Sequence, residues 1–104
     1  MKLSCIFLLA GLLAAAEKPR VNPYAGQPLE IKAGAKLYRR YCAACHEAAD
    51  KAPPLSPGSA AMSTDELFRL LKDGRLARGM PSWAQLPPEQ RWQIISWLRP
   101  SGLD

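Results

Sequence analysis

The feature that most constrains this chain is a pair of cysteines followed directly by its only histidine. The segment reads Cys42-Ala43-Ala44-Cys45-His46. The two-residue spacer separates the cysteines by about one helical turn, so that both sulfurs can face the same side. Because the 104 residues contain no second histidine, sites that need two imidazoles are excluded, such as a polyhistidine zinc enzyme or a histidine–histidine relay.

The N-terminal sixteen residues have the pattern of a secretory signal peptide. Lys2 gives a positive start, an apolar run covers 6–13, and a run of small residues ends at Ala16. The apolar run is short for a permanent membrane helix, although an uncleaved anchor or a buried core helix is the alternative. We therefore expect cleavage after Ala16 and export to a bacterial periplasm. Cys5 leaves with the signal, so the mature protein keeps only the cysteines of the motif.

Three kinds of chemistry could use an exported Cys-x-x-Cys pair. A structural zinc site needs four ligands, and the mature chain offers only three cysteine and histidine side chains. A thioredoxin-like site follows a strand in a βαβ unit, and no such pattern precedes Cys42. Cys-x-x-Cys-His is the attachment signature of haem c, in which the thiols add across two vinyl groups and the histidine ligates the iron. We therefore predict one covalently attached haem c, held by Cys42 and Cys45, with His46 as its proximal ligand.

The rest of the chain has helical periodicity and no strand-like alternation. Apolar and small residues recur every three or four positions over 31–42, which predicts a helix running into the motif. Ser63 and Glu66 fit a capping box that opens a second helix, with Gly74 as its stop. A third helix is predicted over 88–98, with proline in its first turn. The predicted fold is all-α, with long loops wrapped around one haem.

The second axial position on a histidine-ligated iron decides between electron transfer and catalysis, because an open position lets oxygen or peroxide bind. The mature chain offers two thioether candidates, Met62 and Met80. Met62 directly precedes a predicted helix. Met80 lies between Gly79, which lets the backbone approach a haem closely, and Pro81, which stiffens the loop. We predict Met80 as the distal ligand, with Met62 or ordinary core packing of methionine as the alternatives.

Together these motifs resemble the class I mono-haem cytochromes c of the small bacterial type, over about residues 31–99. The run 34–46 resembles the family's N-terminal helix leading into its attachment site. The segment 53–55 resembles its Pro-x-Leu loop, and 79–83 resembles the distal loop that carries the methionine ligand. The segment 92–98 resembles its C-terminal helix.

The resemblance implies roles for residues on both sides of the attachment segment. Met80 is implied to be the distal iron ligand. The carbonyl oxygen of Pro53 is implied to accept a hydrogen bond from the Nδ1–H group of His46. Trp97 is implied to pack near Gly34. A glycine inside a helix costs roughly 1 kcal/mol relative to alanine, and close approach of another helix would compensate for that cost.

The charge of the chain bears on its partners. The formal net charge is +5, from 14 lysines and arginines against 9 aspartates and glutamates. The basic residues are scattered and fit no nucleic-acid-binding pattern. Some of them could ring an exposed haem edge and steer the protein toward an acidic patch on a redox partner, although a solvated basic surface is the alternative. These residues are Lys32, Lys36, Arg39, Arg40, Arg75 and Arg78.

We therefore predict a signal peptide at 1–16, an N-terminal extension at 17–30 and a cytochrome c domain at 31–104. The predicted function is periplasmic electron transfer between partner proteins, with peripheral contact to membrane complexes and with neither a small-molecule substrate nor catalytic residues. One alternative is a haem subunit of a larger dehydrogenase or oxidase complex. Two others are a small haem enzyme with an open distal face and an exported thiol–disulfide protein.

Overall fold

The computed structural model describes residues 18–48, Leu55 and 62–101. This part of the chain is helical, and its only β-type pairing is one isolated bridge, so the all-α prediction is confirmed. None of its helices has the length and hydrophobicity needed to cross a bilayer. The predicted signal peptide and Pro53 lie outside the described residues. The helices are α1 (Pro28–Tyr41), α2 (Ala43–His46), α3 (Thr64–Asp73) and α4 (Pro88–Leu98), with a 3-10 turn at Leu76–Arg78.

Local sequence signals explain where the helices begin and end. The first helix starts at Pro28, about one turn earlier than predicted, because proline at the first position has no backbone N–H to leave unpaired. The second predicted helix is capped as expected, since the Oγ of Ser63 accepts a hydrogen bond of 3.1 Å from the backbone N–H of Glu66. Gly74 ends this helix with a φ of 69°, in the left-handed region that favours glycine. The third predicted helix matches α4.

Helices α1 and α4 come into backbone contact at Gly34. A Cβ atom built there would lie 1.8 Å from the carbonyl oxygen of Gln93, so only glycine fits. The close approach expected for Gly34 is therefore confirmed, but the group opposite it is the backbone of Gln93. The indole of Trp97 lies one helical turn further along, with its ring centroid 6.4 Å from that of Tyr38. Trp97 is 40% exposed, and the packing of its ring near Gly34 stays a prediction.

The core lies where α1, α3 and α4 meet. Phe68 and Trp92 stack at its centre, with ring centroids 4.1 Å apart and planes inclined by 15°. Arg91 covers the same cluster, its guanidinium carbon 4.5 Å from the Phe68 centroid. Each large apolar side chain buried here contributes roughly 1.5–3 kcal/mol. The buried apolar residues of the core are Tyr38, Cys42, Leu67, Phe68, Leu71, Leu86, Trp92, Ile94 and Ile95.

Residues 18–27 pack across the core as an N-terminal strap. The buried Asn22 side chain donates through Nδ2 to the Oγ of Ser96 at 2.9 Å and to the carbonyl oxygen of Trp92 at 3.3 Å. Its Oδ1 accepts from the backbone N–H of Tyr24 at 2.9 Å. Because these bonds tie the strap to α4, the described part of the predicted extension belongs to the folded unit.

Asp65 connects the strap to the first turn of α3. Its Oδ1 accepts the backbone N–H of Arg20 at 3.0 Å, and its Oδ2 lies 2.8 Å from the Nη2 of Arg69. The backbone hydrogen bond from Arg20 and the charge of Arg69 lower the pKa of this carboxyl below its ordinary 3.8, against the opposing effect of burial. A negative charge is also favoured at this end of a helix.

We expect Gly34→Leu to destabilise the protein by more than the roughly 1–3 kcal/mol that overpacking usually costs, because the Gln93 backbone cannot move aside alone. Chemical denaturation of the holoprotein measures the change. Lys36→Leu introduces the same side chain at an exposed position of the same helix and should change the free energy of unfolding by less than about 0.5 kcal/mol. Equal stabilities for the two variants would show that α1 and α4 do not cross at Gly34.

The Asp65 interactions should make the fold sensitive to acid. A carboxyl group with a lowered folded-state pKa stabilises the protein above its unfolded-state pKa, and this contribution is lost as the pH falls through the folded-state value. The free energy of unfolding should therefore decline below about pH 4, and Asp65→Asn should weaken that decline. Asp73→Asn, at the exposed end of the same helix, should leave it unchanged. An Asp65→Asn variant with the wild-type pH dependence would show that the Asp65 carboxylate is not the cause of the acid sensitivity.

Candidate haem-attachment site

The cysteine pair and the histidine lie where α1 passes into α2. The backbone N–H of Cys42 donates to the carbonyl oxygen of Tyr38 at 2.8 Å, which closes the last turn of α1. The carbonyl oxygen of Cys42 accepts the N–H of His46 at 3.0 Å, which opens α2. Cys45 and His46 therefore share one helical turn with Cys42. The predicted helix leads into the motif as expected, and Cys42 separates it from α2.

The two thiols of the motif are free, and they differ in burial. Cys42 belongs to the core, where burial raises the pKa of its thiol to about 11, so it is neutral at physiological pH. Cys45 is exposed and His46 is half-buried. Two free thiols on one helical turn beside an imidazole form a donor set that fits haem attachment through two thioethers.

Partly covered apolar side chains surround the core. A haem is flat and largely apolar, and side chains of this kind provide the surface that such a group requires. Two of them, Tyr41 and Ala43, flank Cys42 directly, which puts part of this surface at the motif. The full set is Tyr24, Leu37, Tyr41, Ala43, Leu55, Met62, Met80, Trp83 and Leu98.

Met80 lies in a closed loop between α3 and α4. It exchanges two backbone hydrogen bonds with Arg75, of 2.9 Å from the Arg75 N–H and 3.0 Å from its own N–H. The 3-10 turn Leu76–Arg78 fills the space between them and ends at Gly79, whose φ is 85°. The sequence predicts an irregular loop here, and it does not predict the bridge or the 3-10 turn that the structure shows. The Met80 side chain is half-buried against the core.

Met62, the alternative thioether, is also half-buried against the core. Its carbonyl oxygen accepts a hydrogen bond of 2.6 Å from the Nη2 of Arg99, just beyond α4. Burial therefore does not distinguish the two methionines, and what differs is the backbone that carries each of them. Met62 directly precedes the helix cap at Ser63, whereas Met80 is enclosed by the bridged loop.

Aromatic contacts link the Met80 loop to the end of α1. The ring centroids of Trp83 and Tyr41 are 5.2 Å apart, with planes inclined by 53°. Tyr41 is the residue before Cys42, and Trp83 comes three residues after Met80. The contact therefore brings the chain that follows Met80 beside the attachment motif.

The basic residues predicted to ring the haem edge fall into different regions. Lys32 and Lys36 line a shallow groove between α1 and α4. Arg75 directly precedes the 3-10 turn in the loop of Met80, and Arg78 is the last residue of that turn. All four are exposed. Arg39 and Arg40 are also exposed and lie in the last turn of α1. Only Arg75 and Arg78 among the six therefore share a loop with the candidate ligand.

Sequence reasoning missed two residues that shape the Met80 loop. It predicts Gly74 only as a helix stop, yet a Cβ atom there would lie 2.6 Å from the carbonyl carbon of Pro81. It gives no role to Ser82, whose Oγ donates a short hydrogen bond to the carbonyl oxygen of Lys72. The glycine was a visible signal, but the group opposite it is seven positions away and no local pattern identifies it. No signal in the sequence marks Ser82.

Residues 29–98 match the sequence model of the family described as "Cytochrome C oxidase, cbb3-type, subunit III". The match includes the attachment motif and the Met80 loop, and it leaves out residues 18–27 of the strap. Neither a curated protein nor a solved structure matches at a significant level. The family implies covalently bound haem c, which agrees with the free thiols on one helical turn. The chain therefore belongs to this family and is a c-type cytochrome, as its resemblance to the class I mono-haem cytochromes c implied.

Proposed function

We propose that this protein is a periplasmic electron carrier with one haem c, attached to Cys42 and Cys45 and ligated by His46 and Met80. The observation that carries the proposal is the attachment motif, which occupies one helical turn in a chain of a c-type cytochrome family. When bound, the haem supplies an iron that alternates between the ferrous and ferric states. The chain's own residues hold this group in place and bind no substrate.

The residues of the attachment motif would hold the haem on backbone that is part of the folded core. Cys42 is part of the core, and the core is continuous with α1 and α4. A thioether at Cys42 would thus be anchored in the core of the domain, and the exposed Cys45 would supply the second attachment. His46 follows on the same turn, so the imidazole is supplied from the backbone that also bears the thioethers. Little rearrangement is then needed when the electron is gained or lost.

Met80 is the proposed distal ligand because its loop restrains it. A thioether is a neutral and weak ligand, so it binds an iron well only when the protein holds it in position. The two hydrogen bonds between Met80 and Arg75 fix its backbone, and the Trp83–Tyr41 contact brings its loop beside the motif. Thioether ligation and apolar surroundings both favour the reduced state, so we expect a comparatively high potential.

The proposed location depends on the sequence pattern at the N terminus. Residues 1–16 have the charge, the apolar run and the small residues of a signal peptide. Cleavage after Ala16 leaves Glu17 as the only residue before the strap, and Arg20 of the strap donates its backbone N–H to Asp65. N-terminal sequencing of the purified protein tests the cleavage site directly.

A second candidate function is that of a haem subunit in a larger oxidase complex. It is favoured by the description of the matched family, which names a subunit of a cytochrome c oxidase. The two candidates differ in the state of the protein in cells. A free carrier purifies as a small protein from the periplasmic fraction, whereas a subunit copurifies with membrane proteins after mild detergent extraction.

Met80→Ala should open the iron to added ligands and lower the reduction potential, with the haem still attached. Spectroscopic titration of the ferric protein with imidazole and a potentiometric titration measure these changes. Met62→Ala serves as the matched control, since Met62 is also half-buried against the core, and it should change neither property. If the two phenotypes were reversed, Met62 would be the ligand; if neither variant differed from wild type, the enzymatic alternative with an open distal face would replace the carrier.

Electron exchange with the native partner should slow as salt is added, because screening weakens steering by exposed charges. We expect the arginines of the Met80 loop to carry most of this effect. Arg75→Gln with Arg78→Gln should flatten the dependence of the rate on ionic strength, whereas Lys32→Gln with Lys36→Gln should not. A wild-type rate that is independent of salt would favour the solvated surface over a docking role.

A further inference from the structure

The Met80 loop is fastened to the last turn of α3 after the methionine as well as before it. The backbone N–H of Trp83 donates to the carbonyl oxygen of Leu71 at 2.7 Å. The hydroxyl of Ser82 donates to the carbonyl oxygen of Lys72. Carbonyl groups in the last turn of a helix have no partner within the helix, and here the returning loop supplies the partners. Both sides of Met80 are thereby tied to α3.

Ser82 also stabilises the conformation of the loop itself. Its Oγ accepts the backbone N–H of Ala84 at 3.2 Å while donating to Lys72. A single hydroxyl therefore joins the end of α3 to the chain two residues beyond Met80. Removing it leaves a helix carbonyl and a loop N–H without this shared partner.

Gly74 determines how closely the loop lies on the helix end. A Cβ atom at this position would lie 2.6 Å from both the carbonyl carbon and oxygen of Pro81, and 2.7 Å from the backbone nitrogen of Ser82. All three atoms belong to the backbone, so they cannot swing away as a flexible side chain would. Any side chain at position 74 must displace Pro81, which is bonded directly to Met80.

We propose that Gly74 and Ser82 are positioning residues for the Met80 ligand. The inference rests on the proposed function, since it assumes that Met80 binds the iron. Arg75 restrains the backbone of Met80 through the bridge, and the contact at Gly74 with the Ser82 hydroxyl restrains the residues that follow it. Together they fix the position of the Met80 backbone relative to the end of α3. A displaced loop would let other ligands compete more effectively with Met80 for the iron.

A matched control separates this role from a general loss of stability. Gly26 has a φ of 73° and Gly74 a φ of 69°, so alanine is disfavoured by the backbone at both positions. However, a Cβ at Gly26 would meet no atom within 4 Å, and Gly26 lies in the strap, outside the Met80 loop. Gly26→Ala therefore places alanine at a positive φ without displacing Pro81.

The experiment is an imidazole titration of the ferric holoprotein, followed by its absorption spectrum. Gly74→Ala should bind imidazole about tenfold more tightly than wild type, which corresponds to the strain of one misplaced backbone residue. Ser82→Ala should shift affinity in the same direction by a smaller factor, and Ser82→Thr, which retains the hydroxyl, should return it toward wild type. Gly26→Ala should bind imidazole as wild type does. The Ser82 variants keep the test decisive if Gly74→Ala fails to fold.

Three outcomes would overturn the proposal, and they have different meanings. If Gly74→Ala and Ser82→Ala both bind imidazole as wild type does, while Met80→Ala binds it more tightly, Met80 is the ligand but these residues do not position it. If Gly26→Ala raises the affinity as much as Gly74→Ala, reduced stability explains the effect. If Met80→Ala itself behaves as wild type, the proposed ligation fails and the positioning role fails with it.

Discussion

The contact between the backbones of α1 and α4 at Gly34 is the constraint on which the rest of the domain depends. With no Cβ at Gly34, the carbonyl of Gln93 can lie directly against α1. One turn later Tyr38 is buried, and a further turn later Cys42 is buried in the same core. The start of the attachment motif is thus fixed by a helix crossing two turns away. The positions of Cys45 and His46 follow from that of Cys42, because the hydrogen bond that opens α2 is made to the carbonyl oxygen of Cys42.

The Met80 loop is organised in a comparable way around a second glycine. Gly74 lets the loop of Met80 return onto the end of α3, and the loop's hydrogen bonds use helix carbonyls that would otherwise lack partners. Helix α4 packs against α1 and α3, and the Tyr41–Trp83 contact joins the end of α1 to the Met80 loop. Two regions far apart in sequence, the motif and the Met80 loop, are therefore held by one core. A covalently attached group with two axial ligands requires such an arrangement.

Much of the fold follows from local signals in the sequence. The cap at Ser63 and the proline at Pro88 predict helices that the structure confirms, because capping depends on residues a few positions apart. Partners that are distant in sequence could not be predicted: the Gln93 carbonyl opposite Gly34 and the Ser96 hydroxyl bound by Asn22. The same limit applies to the ring partner of Trp97, which is Tyr38, four residues after Gly34.

The residues of the candidate site also differ in whether local sequence or tertiary structure identifies them. Cys42, Cys45 and His46 are nearly consecutive, so their joint chemistry could be read from the sequence. The choice between Met62 and Met80 depends on tertiary structure, because both are half-buried against one core. The bridge to Arg75 favours Met80 through backbone geometry that no residue pattern specifies. The hydrogen bond expected from His46 to Pro53 remains a prediction, since Pro53 lies outside the described residues.

The central claim is that the two cysteines of the motif bind one haem covalently in an exported protein. Intact-mass spectrometry under denaturing conditions, on protein made in a bacterium that matures c-type cytochromes, tests it most directly. We predict the mass of the chain beginning at Glu17 plus one haem, with the haem absent when both Cys42 and Cys45 are replaced by alanine. A denatured wild-type protein with the mass of the polypeptide alone would contradict the account.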